Sequence, residues 1–248
     1  MIVRTAIIAV VVIACTFTAA VSFSKNVARV DHSLLSAVLK DVVSNGRVDY
    51  ARLKRDTRLS TYLTAMSKVV MASMSEDERT AYWINVYNAA TLHIVSQHFP
   101  IRSIRDISIQ GYPSVWKAPL VSTHTGMVSL DHIENNVLRP RGDARIHMAL
   151  VCAAVSCPPL RSEAYTAADL QGQLDDQCRQ FVRDRRHNVI DTTARTARVS
   201  KIFEWFIADF GGNPAGIVDF LYQHAGIDRP VRPLTVTFAD YDWSLNVQ

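Results

Sequence analysis

The segment 145–160 constrains this chain more than any other, because a histidine and two cysteines flank an apolar run that ends at two prolines: RIHMALVCAAVSCPPL. Pro158 and Pro159 fix the backbone dihedral and lack amide donors, so the run must end in a rigid turn. Thiol and imidazole groups are the components of a nucleophilic site. Two cysteines at this spacing also suit a disulfide that clamps the end of a strand.

The nucleophilic interpretation requires a thiolate, an imidazole within about 3 Å of the sulfur and a group that orients the imidazole. The candidate catalytic residues are Cys152 or Cys157 as nucleophile, His147 or His132 as base, and Glu134 or Asn85 as orienting group. The run from Ile146 to Cys152 predicts a strand, in which His147 and Cys152 lie on opposite faces and about 16 Å apart. A dyad of these two residues therefore needs a bulge or a bend, whereas His132 is free to reach either sulfur.

The alternative interpretation is a disulfide between Cys152 and Cys157. Ala153, Ala154 and Ser156 are small enough to form the turn that such a bridge requires. Closing so short a loop stabilises the fold by about 2 kcal/mol in the chain-entropy model. An oxidising compartment favours the bridge over free thiols, so the sequence favours the disulfide and leaves Cys178 unpaired.

Residues 1–22 predict export. One positive charge, the apolar run Ala6–Ala14 and the small residues Thr18–Ala20 have the form of a secretory signal peptide. Two alternatives remain open, a lipoprotein signal that ends at Cys15 and an uncleaved N-terminal membrane anchor. All three place the rest of the chain in the periplasm or cell envelope, and the chain would contact a membrane only if this segment is retained or lipidated.

Composition indicates one globular domain over residues 30–248. The hydrophobic content of 48% and charged content of 20% are ordinary for a soluble protein, and no linker divides this part of the chain. The net charge of +4 is modest, and the arginine clusters lack interleaved aromatics, so we expect no nucleic-acid partner. No phosphate loop, Gly-x-Ser-x-Gly elbow or His-Glu-x-x-His motif occurs, so we predict neither a cofactor nor a metal site.

Helical and strand patterns are interspersed without strict alternation, which predicts an α+β fold: a small, mainly antiparallel sheet flanked by several helices. Helices are predicted over residues 32–43, 53–66, 75–98, 129–138, 166–186, 201–210 and 214–225. Strands are predicted at 146–152, 189–190, 197–199 and 234–238. Ser75 and Glu78 form a capping-box pattern at the start of the third helix.

Several polar residues on these helices have an ordinary and a functional interpretation. Asn85 and Asn88 are predicted to tie a loop to a buried helix face, in preference to a role in catalysis. Glu134 forms a buried ion pair with an arginine such as Arg145, or it acts as an acid or orienting group. Lys201 and Asp209 are predicted to form an ordinary ion pair two helical turns apart, beside a packed Trp205.

Six motifs also occur in the order typical of one family. They are NGRVDY at 45–50, YWINVYNA at 82–89, SLDHIE at 129–134, the segment 145–160, SKIFEW at 200–205 with DF at 209–210, and YDWSLN at 241–246. From about Leu34 to Asn246 the chain resembles domain-of-unknown-function family 547, which is found in bacterial exported proteins and in plants. The resemblance implies no activity, because the family has none established. A distant likeness to papain- and transglutaminase-like thiol folds accompanies it.

The sequence therefore predicts an exported cell-envelope protein that acts as a binding or assembly module for an envelope protein or peptide. Its polar centre is expected to combine the Asn85–Asn88 helix, the Glu134 helix and the segment 147–157, with the disulfide as a staple. The alternative is a cysteine-dependent acyltransferase or amide hydrolase that acts on a peptide or envelope component.

Overall fold

The computed structural model describes residues 30–226 and 233–248, and the predicted export segment 1–22 lies outside these ranges. The α-helices are α1 (Ser33–Val42), α2 (Tyr50–Leu53), α3 (Arg58–Met66), α4 (Glu76–His98), α5 (Leu130–His132), α6 (Ile146–Ala149), α7 (Leu170–Arg183), α8 (Lys201–Trp205) and α9 (Pro214–Ala225). The strands are β1 (Val43–Ser44), β2 (Arg47–Val48), β3 (Val121–Thr123), β4 (Gly126–Val128), β5 (Val189–Asp191), β6 (Thr196–Val199) and β7 (Thr235–Phe238). Short 3₁₀ turns lie at Ile104–Asp106, Arg139–Arg141 and Ile207–Phe210, and a π-helical turn, Ile133–Leu138, extends α5.

Helix α4 forms the centre of the larger hydrophobic core. Its N-terminus has the predicted capping box, in which the Ser75 hydroxyl accepts from the Glu78 amide and the Glu78 carboxylate accepts from the Ser75 amide. Nearly every residue from Ala81 to Ser96 is buried, as expected of a helix surrounded by other elements rather than packed on one side.

No helix in the described ranges combines the length and apolar character needed to cross a membrane.

A second hydrophobic core forms between α7, α8, α9 and a three-stranded sheet. Strand β6 pairs with β5 antiparallel and with β7 parallel, while β1–β2 and β3–β4 are separate antiparallel hairpins. Ile146 and Ala149 pack in the first core and Met148 in the second, so α6 lies where the two cores meet. The α+β prediction is confirmed, with one parallel pairing among mainly antiparallel ones.

The C-terminal segment fastens the α6 region to the start of the fold. The Val155 amide donates to the Ser244 carbonyl at 2.8 Å, and the Asn246 amide donates to the Ala153 carbonyl at 3.0 Å. On its other side, the Asn246 carbonyl accepts from the Val48 amide at 2.9 Å. The motif at 241–246 is thus a structural link between the first hairpin and the two cysteines.

The predicted strand at 146–152 is wrong, because residues 146–149 form a helical turn that ends at Leu150, whose backbone is extended. An apolar run this short fits a buried helix and a buried strand equally well. The reasoning that placed His147 and Cys152 on opposite faces of a strand therefore does not apply. The predicted helix 53–66 is broken between α2 and α3, and the predicted helix 166–186 occupies only Leu170–Arg183.

Candidate functional site

Cys152 and Cys157 form a disulfide, with their Cα atoms 6.3 Å apart. Ala153 adopts φ +61°, in the left-handed region, and the Cys157 amide donates to the Ala154 carbonyl at 3.1 Å. These two features bend the chain enough to bring the cysteines within the range that a bridge requires. Cys178 is buried and free, and burial raises the pKa of its thiol well above the usual range.

The phenol of Tyr241 caps both sulfurs. Its hydroxyl oxygen lies 3.1 Å from the Cys152 Sγ and 3.2 Å from the Cys157 Sγ. Burial, reinforced by the negative charge of Glu134, raises the pKa of Tyr241, so its hydroxyl stays protonated and can donate to sulfur. Tyr241 belongs to the C-terminal segment described above, which explains how a distant residue comes to rest on the disulfide.

Glu134 lies in the π-helical turn and faces α4. It accepts a hydrogen bond from the Tyr87 hydroxyl at 3.2 Å. Burial raises its pKa to about 7, although the Tyr87 hydrogen bond and the nearby Arg139 act in the opposite direction. The predicted alternative of an ion pair with Arg145 is not observed, since the Arg145 guanidinium binds Asp143 and Asp175.

His147 on α6 is held by a carboxylate and an aromatic ring. Its Nε2 lies 2.7 Å from the Oδ2 of Asp209, and its ring stacks on Phe206 with centroids 4.0 Å apart. Burial lowers the pKa of His147 to about 4 despite the neighbouring Asp209, so the imidazole is neutral at physiological pH. Because a carboxylate only accepts hydrogen bonds, Nε2 carries the proton in this neutral form.

Asp209 also binds Arg139 through two hydrogen bonds, of 2.7 Å from Nε and 3.1 Å from Nη2. Burial by itself would raise the pKa of Asp209, but the hydrogen bonds from Arg139 and His147 more than compensate and lower it. The predicted pair of Lys201 and Asp209 is therefore wrong. Lys201 pairs with Glu204 instead. Trp205 is 45% exposed and packs with one side against Tyr241, with ring centroids 4.8 Å apart.

The asparagines of α4 bind backbone groups. Asn85 donates to the Tyr165 carbonyl at 2.7 Å and accepts from the Tyr165 amide at 2.9 Å. Asn88 donates to the Ala149 carbonyl and accepts from the Val151 amide, both at 2.9 Å. Asn88 thereby fixes the chain between α6 and the disulfide.

The structure gathers some of the predicted site residues and separates others. Cys152, Cys157 and Glu134 lie around Tyr241, and Arg139 connects Glu134 electrostatically to Asp209 and His147. In the described part of the chain, the sulfurs contact the Cys152 amide and the Tyr241 hydroxyl, and neither is within hydrogen-bonding distance of a histidine. His132 has an exposed side chain.

Sequence reasoning missed Tyr87, Arg139, Phe206 and Tyr241 and misassigned Asp209. No spacing rule connects these residues, because they come from four separate segments. Tyr87 and Tyr241 do lie inside two of the family motifs, which was the available indication. Within the described ranges, no group of three or more His, Cys, Asp or Glu side chains is arranged to hold a metal ion.

Residues 71–182 match the model of a family described as "Protein of unknown function, DUF547". Comparison of the chain with curated proteins and with solved structures finds no match. The matched range contains Asn85, Glu134, His147 and both bridged cysteines, whereas Asp209 and Tyr241 lie beyond it. Over this range the chain is similar to the DUF547 family.

Proposed function

We propose that this protein is an exported binding or assembly module of the cell envelope, with a partner that is an envelope protein or peptide. The Cys152–Cys157 disulfide capped by Tyr241 carries this proposal. A bridged sulfur cannot act as a thiolate nucleophile, and such bridges persist in oxidising compartments. The apolar N-terminal segment of the sequence supports the same compartment.

The hydrogen bonds of the polar centre also support a structural role. The amides of Asn85 and Asn88 are used in binding backbone groups, and Asp209 is shared between Arg139 and His147. Side chains with all their polar atoms engaged in this way hold segments in place. On this proposal the disulfide and the asparagines keep the largely buried segment 147–160 rigid, so that the surface elements packed on it keep a fixed shape for the partner.

The experiment is peptide mapping by mass spectrometry of the mature exported protein without reduction, with iodoacetamide present from lysis. We expect a peptide that contains the Cys152–Cys157 bridge, and Cys178 unlabelled until the protein is unfolded. A Cys178→Ser variant provides the control, because it leaves the two bridged cysteines as the only thiols that can react beyond the first 22 residues. Free, rapidly labelled Cys152 or Cys157 in the mature protein would contradict the proposal.

One observation favours a second candidate, a cysteine-dependent acyltransferase or amide hydrolase. A neutral imidazole oriented by a carboxylate, as His147 is by Asp209, is the base component of nucleophilic enzymes. In this alternative Asp209 would orient the base, because both ends of the Asn85 amide bind Tyr165. It requires a reduced Cys152 or Cys157 whose iodoacetamide labelling slows in a His147→Gln variant, and equal labelling rates would exclude it.

A further inference from the structure

A cleft of about 400 Å³ lies between α3, α4 and β3. This volume is within the range of small-ligand sites, about 300–1,000 Å³. The buried part of its lining is apolar and consists of Met66, Val86, Ala90, Ile94 and Val121. Neither Tyr241 nor the disulfide is among its lining residues, so the cleft is separate from the surroundings of the bridge.

The described lining of this cleft contains no Asp, Glu, Lys or Arg side chain. Within that lining the titratable group is His93, which is half-buried and whose ring has no hydrogen-bond partner in the described part of the chain. Burial lowers the pKa of His93, so the imidazole is uncharged at physiological pH. A charged ligand group placed here would lose water without gaining an opposite charge. The cleft therefore suits an uncharged, apolar group and offers one imidazole for a hydrogen bond.

A row of hydroxyl groups borders the cleft along α3. The Ser60 hydroxyl donates to the Thr57 carbonyl at 2.8 Å, and the Thr64 hydroxyl donates to the Ser60 carbonyl at 2.8 Å. The Ser67 hydroxyl likewise donates to the Thr64 carbonyl at 2.9 Å. Because each proton is already used within the helix, these oxygens are left to accept hydrogen bonds. The row therefore favours a ligand that carries donors, which a plain acyl chain lacks.

Strand β3 gives the cleft a wall with a free edge. Leu120, Val121 and Ser122 line the cleft, and Ser122 is exposed. In the described ranges β3 pairs with β4 alone, so its other edge has no strand partner. An unpaired edge is a template for another extended chain, whose backbone pairs with the strand while its side chains enter neighbouring pockets.

We infer that this cleft binds an extended segment of a partner peptide, which pairs with the free edge of β3 and inserts an uncharged aliphatic side chain against the apolar lining. Peptide N–H groups beside that side chain donate to the hydroxyl row of α3 or to His93. The inference rests on the proposed function as a binding module and names its site and the chemistry of the segment it binds.

The test is titration of the oxidised, full mature protein, labelled with ¹⁵N, with the capped tripeptide Ala-Leu-Ala at millimolar concentration. The capped tripeptide Ala-Asp-Ala replaces the apolar side chain with a charged one. Analogues of the leucine peptide that are N-methylated at one amide at a time remove single N–H groups without altering the protein. 1-Octanol is the comparison ligand, because it has an apolar chain and no peptide backbone.

Thr64→Trp and Thr61→Trp are a matched pair of variants. Both threonines are exposed on α3, and each donates its hydroxyl to the carbonyl four residues earlier. Of the two, Thr64 lines the cleft. An indole at position 64 should therefore fill the mouth of the cleft, whereas an indole at position 61 should not. Circular dichroism checks that both variants are folded.

We expect the leucine peptide to shift the amide resonances of Leu120, Val121 and Ser122. The aspartate peptide should bind at least about tenfold more weakly, because its charge would be buried without a partner. At least one N-methylated analogue should bind about five- to tenfold more weakly, the size of one hydrogen bond. Thr64→Trp should weaken binding at least about tenfold, and Thr61→Trp should leave it unchanged.

Absence of binding, equal binding of the leucine and aspartate peptides, equal binding of every N-methylated analogue, or binding of 1-octanol alone would overturn the inference. Unchanged binding by folded Thr64→Trp would do the same, and if that variant does not fold, the N-methylated series on the wild-type protein decides. Failure here with an intact disulfide leaves the proposed function standing. Free, reactive Cys152 or Cys157 would instead count against the proposed function and not against the cleft, whose described lining contains no cysteine.

Discussion

The Nε2 atom of His147 lies 2.7 Å from the Oδ2 atom of Asp209, across 62 positions of sequence. Asp209 sits in a 3₁₀ turn of the second core, and His147 sits on the helix between the two cores. Because Arg139 binds the same carboxylate, Asp209 joins three segments of the chain. This junction has measurable consequences for stability.

Asp209→Asn should lower the free energy of unfolding at pH 7 by about 2 kcal/mol, because the Arg139 guanidinium loses a charged, partly buried partner. Urea denaturation followed by circular dichroism measures the change. The control is Asp191→Asn, an exposed carboxylate that accepts from a turn amide, which an asparagine oxygen can replace. Equal stability of the two variants would show that the Asp209 junction contributes no more than the exposed Asp191 carboxylate.

His147→Gln should reduce the loss of stability in acid. Burial lowers the pKa of His147 to about 4 from an unfolded value near 6.5, so the unfolded chain binds the extra proton first. The stability contributed by the neutral imidazole is present above pH 6.5 and is lost as the pH falls through 4, by up to about 3 kcal/mol. The difference in unfolding free energy between wild type and variant should therefore shrink between pH 7 and 4. A difference in unfolding free energy that stays constant from pH 7 to pH 4 would contradict the lowered pKa of His147.

Glu134→Gln should have the opposite pH dependence. Burial raises the pKa of Glu134 to about 7 from 4.5, so the folded protein holds a proton that the unfolded chain releases. Wild-type stability therefore falls from this source as the pH rises from 4.5 through 7, by about 2–3 kcal/mol. The variant should gain stability relative to wild type over that interval.

The control for this prediction is Glu163→Gln. Hydrogen bonds from Arg161 and Gln173 hold the pKa of Glu163 below its usual range, so this carboxylate stays ionised from pH 5 to 8. The effect of its substitution should not vary with pH in that interval. A Glu134→Gln curve parallel to that of Glu163→Gln would refute the raised pKa.

Asn88→Ala should destabilise the fold by about 2–4 kcal/mol, since the buried Ala149 carbonyl and Val151 amide both lose their partner. Hydrogen exchange should show faster exchange at the Val151 amide. Asn136→Ala, at an exposed position of the neighbouring π-helical turn, should change stability by less than about 0.5 kcal/mol. Unchanged protection of Val151 in Asn88→Ala is the result that would contradict this prediction.

Gly46→Ala and Gly142→Ala form a matched pair, because both glycines have φ +75°. A Cβ at Gly142 meets no atom within 4 Å, so that substitution should cost about 1 kcal/mol of backbone strain. A Cβ at Gly46 would lie 2.6 Å from the Pro159 Cβ, so that substitution should cost about 1–3 kcal/mol more. Urea denaturation of the two variants measures the difference. Equal midpoints would mean that the β1–β2 hairpin moves away from Pro159 at no cost in stability.

Local patterns in the sequence were sufficient for several elements. The capping box at Ser75 and the helix from Glu76 to His98 follow from near-neighbour rules, and so does the helix Pro214–Ala225. Strands at 189–190 and 197–199 were also predicted, and they correspond to β5 and β6. The disulfide was favoured for a local reason as well, because only small residues need to turn between its cysteines.

The sequence by itself therefore determined the α+β class, the long central helix and the cysteine pair, all of which depend on residues close together in the chain. Only the tertiary structure decided which groups meet. The short run 146–149 became helical because it lies between two cores, and Tyr241 reached the sulfurs because the C-terminal segment pairs with residues 153–156. Contacts such as His147 with Asp209 depend on how whole elements pack, and periodicity within one element carries no information about the residue on the next.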